Sequence, residues 1–200
     1  MRVSRDQAEK NRQMVIDVAS RLFREHGFDG IGLKDVMEAA GLTQGAFYKQ
    51  FASKDDLVAK ASERALENTV RRWSAAAEAN PKDPLGAVIA LFLSMGHRDE
   101  TGDGCPVVAL GADAARQGPD VKASFEAWIR KYLEMFRSWL GESDGEDFTD
   151  KAMAVLSTMV GAMVLSRAVN NKRLAKRFLQ AAAKSVMGLS AGAAQKRQLR

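Results

Sequence analysis

Residues 33–51 restrict the possible folds of this chain more than any other segment, because they contain two short helical segments that meet at one glycine. Leu33–Ala40 and Gln44–Gln50 carry apolar residues at positions that build one small core between them, namely Val36, Met37, Ala40, Leu42 and Phe47. Gly41 follows two alanines, so the helices can approach closely and the backbone can turn through a left-handed conformation. This spacing predicts a compact unit of packed helices.

The composition extends the helical expectation to the whole chain. Apolar residues make up 46% and charged residues 28%, as in ordinary soluble proteins, and only four prolines are present. Good helix formers dominate and no run of alternating β-branched residues occurs. We therefore expect an all-α fold.

The same sequence argues against export, disulfides and membrane spanning. The first thirteen residues are too polar for a signal peptide, and the single cysteine excludes an intramolecular disulfide. The apolar stretch Ala152–Leu165 is short for a membrane span. A cytoplasmic protein with no membrane partner is expected.

About nine helices follow from periodicity and from start and stop signals. The first four are expected at Asp6–His26, Leu33–Ala40, Gln44–Gln50 with Thr43 as its cap, and from Ser53 to Ala79. Asp83-Pro84 starts a helix over Leu85–Met95, and a polar loop follows at His97–Gly104. The remaining helices are expected at Cys105–Arg116, 120–140, Phe148–Asn170 and Lys172–Leu189, with a connector at 141–147. We expect a helix-turn-helix domain at 1–52, a second helical domain at 53–190 and a disordered basic tail at 191–200.

The exposed side of the Gln44–Gln50 helix is suited to double-stranded DNA. Two short helices around a glycine turn allow the second helix to lie in the major groove. Glutamine pairs with adenine, alanine or a threonine methyl touches a thymine methyl, and tyrosine and lysine bind phosphate. The candidate DNA-binding residues are Lys34, Thr43, Gln44, Gly45, Ala46, Tyr48, Lys49, Gln50 and Lys54. The alternative is a helical hairpin used only for packing, which would not need small polar residues on its exposed side.

Residues 10–60 resemble the N-terminal domain of the TetR family of bacterial regulators. The resemblance rests on Phe23-Arg-Glu-His-Gly-Phe28, on Val36–Gly41 and on Gly45-Ala-Phe-Tyr-Lys-Gln-Phe-Ala-Ser-Lys-Asp-Asp-Leu57. It implies a homodimer whose DNA-binding domains are joined through the fourth helix to an all-helical ligand domain. It also implies that the last two helices pair with their copies as a four-helix bundle. Gly32 stands where a threonine or serine usually caps the second helix, so a softer helix start is expected.

Aromatic residues and methionines in the middle of the chain are candidates for a small-molecule pocket. They are Trp73, Phe92, Met95, Cys105, Val108, Leu110, Phe125, Trp128, Ile129, Tyr132, Met159 and Met163. The alternative for each is an ordinary core position. Cys105 lies before Pro106 at a helix start, where the helix dipole favours the thiolate, and a Gly-Cys segment resembles that of family members that respond to electrophiles. It is either a sensor or an inert thiol.

Other polar residues are assigned structural roles. His97, Asp99, Glu100, Asp103 and Cys105 have no spacing of a known metal site, so neither a metal nor a cofactor is expected. His26 ends the first helix, where it can interact with exposed carbonyls. The basic residues Arg167, Lys172, Arg173, Lys176 and Arg177 are expected to form a solvated face.

Small and apolar residues repeat at helical spacing in the last two helices, as a dimer interface requires. They are Ala154, Ser157, Gly161 and Val164, followed by Leu174, Phe178, Ala181, Ala182 and Ser185. Packing within the chain is the alternative for these faces.

Taken together, the residues predict a dimeric regulator, most simply a repressor, released from a palindromic DNA operator by a small molecule. No nucleophile–base pair or phosphate-binding glycine loop is present, so an enzyme is not expected. The alternatives are an architectural DNA-binding protein without ligand and a thiol-based sensor acting through Cys105. Net charge decides little, because the +5 of the chain is concentrated at residues 167–200, which hold nine basic residues and no acidic one.

Overall fold

The computed structural model describes residues 4–140 and 146–197, with the backbone alone for 146–148 and 190–197. This part of the chain is helical throughout its regular elements and contains no strand, which confirms the all-α expectation. The helices are α1 Arg5–His26, α2 Leu33–Ala39, the 3-10 helix η1 Gln44–Lys49, α3 Lys54–Ala79, α4 Pro84–Phe92, α5 Met95–Asp99, α6 Pro106–Ala114, α7 Pro119–Leu140, α8 Glu146–Ala168 and α9 Lys172–Arg197.

Several helix ends lie where the capping residues place them. Asp83 accepts the backbone N–H of Gly86 at 2.9 Å, and Pro84 is the first residue of α4. Pro106 likewise opens α6 after Cys105. Ser53 accepts the N–H of Asp56 at 3.1 Å, and the Asp56 carboxylate accepts the N–H of Ala52 at 3.1 Å, so the predicted capping box forms with a shift of one residue on its return bond.

Helices α4, α5 and α9 differ from the predicted ones in their bounds. The expected Leu85–Met95 helix ends at Phe92, and the short helix α5 occupies the start of the expected His97–Gly104 loop. Ser94 explains the break, since its hydroxyl accepts the N–H of His97 at 3.0 Å and caps a new helix there. At the other end of the chain, α9 continues past Leu189 to Arg197. Most of the predicted connector, 141–145, lies outside the described residues.

The chain forms two compact units, and α3 and α7 contribute residues to both. Unit 1 consists of the residues up to Asn68 together with Thr101–Glu126, and unit 2 consists of Thr69–Glu100 with the residues from Ala127 onward. The predicted domain boundaries at residues 52 and 190 are functional divisions and stay predictions.

The core of unit 1 joins the first helices to α6. Val15, Val36 and Phe47 are fully buried, and the rings of Phe23 and Phe28 meet edge to face at 5.7 Å. Leu110 of α6 belongs to the same core. Burial of this apolar surface holds the short helix α2 in place, because a helix of that length has little stability alone.

Hydrogen bonds and an ion pair fix the orientation in which α6 packs on α1. The Arg24 guanidinium is buried and donates to the Gly104 carbonyl at 3.2 Å, and it lies 3.8 Å from the Asp103 carboxylate. Beyond the end of α1, the N–H of Phe28 donates to Asp113 at 3.2 Å. The end of α1 is therefore fixed to the segment that contains α6.

Unit 2 is organised around a cluster of aromatic rings. The ring centroid of Trp73 is 4.6 Å from that of Tyr132, 5.3 Å from Phe136 and 5.7 Å from Phe92. Helices α8 and α9 pack along each other. The stretch Thr149–Ala168 of α8 is long and apolar enough to span a membrane by length and composition alone. It is longer than the apolar stretch Ala152–Leu165 predicted from the sequence. Of its most apolar window, 39% is buried within the chain.

Two arginines link the ends of α5 and α8 in unit 2, because each donates to backbone carbonyls of the helix that carries the other arginine. Arg98 donates to the carbonyls of Ser166 at 2.8 Å and Val169 at 3.2 Å, at the end of α8. Arg167 donates to the carbonyls of His97 at 2.8 Å and Arg98 at 3.0 Å, in α5. These carbonyls have no partner within their helices, so the pair satisfies both ends. The prediction that Arg167 is simply solvated is therefore wrong.

Candidate nucleic-acid interface

The turn between α2 and η1 has the geometry expected from its glycine. Gly41 has φ +69°, in the left-handed region that glycine adopts at low cost. The N–H of Gly41 donates to Glu38 at 2.9 Å, and the N–H of Leu42 donates to Met37 at 2.9 Å. The turn therefore uses the last carbonyls of α2 and fixes the direction in which the chain enters η1.

The helix that follows the turn is a 3-10 helix and not the seven-residue helix that was expected. The N–H of Ala46 donates to the Thr43 carbonyl at 3.0 Å, and the N–H of Gln50 donates to Phe47 at 2.8 Å. The predicted side-chain cap from Thr43 is absent. The Thr43 carbonyl instead closes the first turn three residues on, and the Thr43 side chain is exposed.

Two phenylalanines anchor η1. Phe47 is fully buried, and its ring stacks on Phe51 at 5.4 Å with an angle of 24° between the planes. Tyr48 meets the Phe47 ring edge to face at 5.2 Å. The guanidinium of Arg12 lies 5.5 Å from the centre of the Phe51 ring. These contacts fix a short helix whose own hydrogen bonds are few.

The side of η1 that points away from this core carries the predicted base- and phosphate-contacting residues. Tyr48 is 70% exposed. The other exposed members are Thr43, Gln44, Gly45 and Lys49, whereas Ala46 and Gln50 are half-buried. A Cβ atom at Gly45 would have nothing within 4 Å. This surface is therefore exposed and polar, and the buried Phe47 and Phe51 rings hold η1 in place on its other side.

The two flanking lysines differ in how freely they can bind phosphate. Lys34 is exposed and lies 3.7 Å from the Glu38 carboxylate on the same helix, an exposed pair that contributes little. Lys54 is half-buried, and its ammonium donates to the carbonyl of Ile31 at 3.3 Å. Lys54 therefore holds the α1–α2 loop, and two of its three donors remain for another ligand.

A carboxylate beside the interface supports the start of α3. Burial would raise the pKa of Asp56, but hydrogen bonds from the Lys60 ammonium and from the Ala52 N–H lower it below its usual value of 3.8. Arg12 adds a smaller lowering effect. Asp56 is therefore charged at neutral pH and keeps the chain entry into α3 fixed.

The predicted small-molecule residues are mostly core residues. Trp73, Phe92, Tyr132, Met159 and Met163 are buried in unit 2, where Met95, Trp128 and Ile129 are half-buried. Cys105, Leu110 and Phe125 are buried in unit 1, and Val108 is half-buried there. Their role in ligand binding stays a prediction.

The residues weighed as metal ligands have other partners. His97 is buried, and its Nδ1 lies 2.7 Å from the Phe92 carbonyl. Burial lowers the pKa of His97 below 6.5, and the Arg167 and Arg72 guanidiniums lower it further. Asp99 pairs with Arg98 at 2.5 Å, and Glu100 pairs with Arg72 at 3.5 Å.

Sequence reasoning placed Phe51 in the core but missed Arg12 and Arg98 as positioning residues. Arg12 and Phe51 meet only in the folded chain, so no local spacing signals their contact. Arg98 stood in a segment expected to be a loop, and its carbonyl partners exist only because α5 and α8 end side by side.

Comparison with known proteins supports the interpretation of this segment. Residues 15–61 match the family described as bacterial regulatory proteins, tetR family. The transcriptional regulator AcrR of Shigella flexneri is 34% identical over 92 residues, which cover 46% of this chain and 43% of AcrR. The chain thus matches less than half the length of that relative.

Solved structures share the fold over almost the whole chain. A TetR-family regulator from Cytophaga hutchinsonii has a TM-score of 0.79 at 19% identity and covers 96% of this chain and 98% of its own. Reduced NemR of E. coli has a TM-score of 0.75 at 20% identity, with 88% and 95% covered. Residues 15–61 thus match the TetR family of bacterial regulatory proteins in sequence, and the chain as a whole has the fold of solved TetR-family regulators.

Proposed function

We propose that this chain is a homodimeric transcriptional repressor that binds a palindromic operator through η1 and is released by a small molecule. The observation that carries the proposal is the contrast between the two sides of η1. Phe47 is fully buried on one side, while Tyr48 is 70% exposed on the other among small and polar neighbours. Packing alone gives no reason to expose a tyrosine to this extent, whereas a groove-reading helix needs such a surface.

Selection of bound duplexes from a random pool tests this proposal. The selected sequence should be a palindrome, because two copies of η1 read related half-sites. Tyr48→Ala and Lys49→Ala should each weaken binding to all sequences, and Lys49→Ala should also reduce the salt dependence by about 0.9 for each phosphate that the lysine neutralises. Lys122→Ala, an exposed lysine of α7, is the control. Unchanged operator binding in both η1 variants would refute the assignment of the interface.

Dimerisation is proposed through the exposed apolar faces of α8 and α9. Large apolar side chains lie open on both helices, with Met153 46%, Val164 44%, Leu165 49% and Leu174 41% exposed. Exposed apolar faces of this kind mark an interface. The predicted members Ala154, Ser157 and Ser185 lie on these faces, whereas Ala182 is buried within the chain and is left out.

Two glycines within these helices test the dimer. A Cβ at Gly161 or Gly188 would have nothing within 4 Å among the described residues, so the first carbon of a new side chain there causes no clash within one copy. Gly161→Leu should shift the protein from dimer to monomer in sedimentation, because it separates the paired helices. Gly118→Leu is the control, since Gly118 is equally open and lies before α7. A Gly161→Leu protein that remains dimeric would place the interface elsewhere.

Release by a small molecule is proposed through the aromatic core of unit 2. Aromatic and methionine side chains suit an apolar or flat ligand. A ligand that binds the DNA-free conformation a hundredfold better couples about 2.7 kcal/mol between the two sites. Thermal stabilisation across a compound panel, followed by release of the operator, is the test. A protein that no compound stabilises or releases fits the architectural alternative.

A thiol-based response is the second candidate, and the position of Cys105 at the start of α6 favours it. The helix start stabilises the thiolate, and the similar NemR structure is described as a reduced form. The thiolate would add to an activated alkene, forming one carbon–sulfur bond while a proton ends on the neighbouring carbon. Cys105 is only 2% exposed, so labelling by a maleimide requires α6 to open. Labelled protein that keeps full operator affinity would exclude this mechanism.

A further inference from the structure

The first two turns of α9 carry a stripe of exposed cations with no counter-charge among the described side chains. Lys172, Arg173, Lys176 and Arg177 are all exposed. None of them pairs with a carboxylate in that part of the chain, and α9 itself contains no acidic residue. Arginines elsewhere in unit 2 do have such partners, as Arg72 has Glu100 at 3.5 Å and Arg98 has Asp99 at 2.5 Å.

The placement of these cations is unfavourable for the helix that carries them. The helix dipole puts partial positive charge at the N-terminus, where cations are disfavoured. Lys172 and Lys176 are four residues apart, as are Arg173 and Arg177, and like charges at this spacing repel each other. Asn171 caps the helix through the N–H of Leu174 at 3.0 Å, so the start itself is regular. Nothing in the described chain offsets the repulsion, and an external anion would.

The stripe is separate from the face proposed for dimerisation. Successive residues of an α-helix turn by about 100°, so the four cations lie within roughly 140° of one another. Leu174 and Phe178 fall on the neighbouring face, and Ala175 and Leu179 are buried on a third. Pairing through Leu174 and Phe178 therefore leaves the cations exposed.

We infer that this stripe binds the phosphate backbone of double-stranded DNA without reading its sequence. Lys184 continues the line of cations, so the stripe extends over about 18 Å at 1.5 Å per residue. Duplex DNA presents one negative charge per about 1.7 Å over such a length. An anionic membrane fits less well, because the residues between these cations and Lys184 on the same face are Gln180 and Ala183, which offer no large apolar side chain. Leu174 and Phe178 lie on the neighbouring face.

Two double variants test the inference in the full-length protein. Lys172→Gln/Lys176→Gln and Arg173→Gln/Arg177→Gln each remove two charges. Lys82→Gln/Lys122→Gln removes two exposed lysines outside the stripe and is the control for net charge. Binding is measured on a labelled duplex of unrelated sequence and on the selected operator, between about 50 and 200 mM salt.

The slope of log K against log salt concentration measures how many phosphates the protein neutralises. We expect each stripe variant to reduce the magnitude of this slope by up to about 1.8 per chain for both duplexes, and the control to leave it unchanged. Melting temperature should rise in the stripe variants because repulsion is removed, so weaker binding would not reflect unfolding. Salt dependence equal to that of the control would overturn the inference. So would stripe-dependent binding to phosphatidylglycerol vesicles with unchanged DNA binding.

The inference relies on the proposed function only in taking DNA as the ligand. Gln44→Ala, which removes a proposed base contact, should lower the preference for the operator, whereas the stripe variants should keep that preference and bind both duplexes more weakly. If the wild type selects no operator, the proposed function fails, and the unrelated duplex still reports on the stripe.

Discussion

Replacing Gly45 by alanine should raise the stability of the protein and lower its affinity for DNA. A Cβ at this position would have nothing within 4 Å, and Gly45 is not among the described glycines with positive φ. Alanine at a compatible site restricts the unfolded chain and stabilises by about 0.4–1 kcal/mol. For a chain of this length, that raises the melting temperature by roughly 1–4 °C.

The same methyl group lies on the exposed side of η1, where the proposed operator approaches. Forcing one extra carbon into a close interface costs about 1–3 kcal/mol. Two copies per dimer double this cost, so even the low end, about 2 kcal/mol, weakens binding roughly thirtyfold. The absence of a side chain at Gly45 would then allow the DNA backbone to approach η1 closely.

Thermal unfolding and fluorescence anisotropy on the selected operator measure the two effects on one preparation. Gly118→Ala is the matched control, since its Cβ is equally unobstructed and it lies outside η1. It should leave operator affinity unchanged. A Gly45→Ala protein that is more stable and binds the operator as tightly as wild type would refute the close approach of DNA to this residue.

Four further substitutions probe unit 2 and two buried hydroxyl groups. Arg167→Met should lower stability by about 2–4 kcal/mol in denaturant unfolding, because it removes two charge-assisted bonds to helix-end carbonyls; a decrease below about 0.5 kcal/mol would contradict this role. Ser62→Ala should be neutral or stabilising, since the buried Ser62 hydroxyl has no hydrogen bond to the described residues. Ser166→Ala should destabilise the protein by about 1 kcal/mol because it removes the 2.8 Å bond to the Met163 carbonyl. Equal changes in the free energy of unfolding for the two variants would refute this difference. Because burial lowers the pKa of His97, its stabilising contribution is complete above pH ~6.5 and is lost as pH falls below that value. His97→Gln should therefore flatten the decrease in stability as the pH falls below about 6.5, and an unchanged slope would refute the contribution of His97.

Helix starts and turns were predictable where a local proline or glycine signal marks them. Asp83-Pro84 and Cys105-Pro106 mark the starts of α4 and α6 because proline fixes φ and needs no N–H partner there. Gly41 marks the turn before η1 for a similarly local reason. Such signals act over three or four residues, which the sequence displays directly.

Features that depend on distant partners were not predictable. The 3-10 form of η1 depends on Phe47 and Phe51 fitting the core of unit 1, and periodicity over six residues does not separate it from an α-helix. Helix α5 looked like a polar loop because Arg167, which binds its carbonyls, is far away in the chain. The charges of α9 were visible, but their lack of partners among the described side chains was not.

The tight winding of η1 limits how much DNA one copy can inspect. A 3-10 helix rises about 2.0 Å per residue, so its six residues extend about 12 Å. At about 3.4 Å per base pair, this length covers about three or four steps of a duplex. A sequence of three or four base pairs recurs many times in any genome, so one subunit alone would not select a unique site. Selectivity would then arise from the fixed distance between two identical readings, which makes the pairing of subunits part of the recognition code itself.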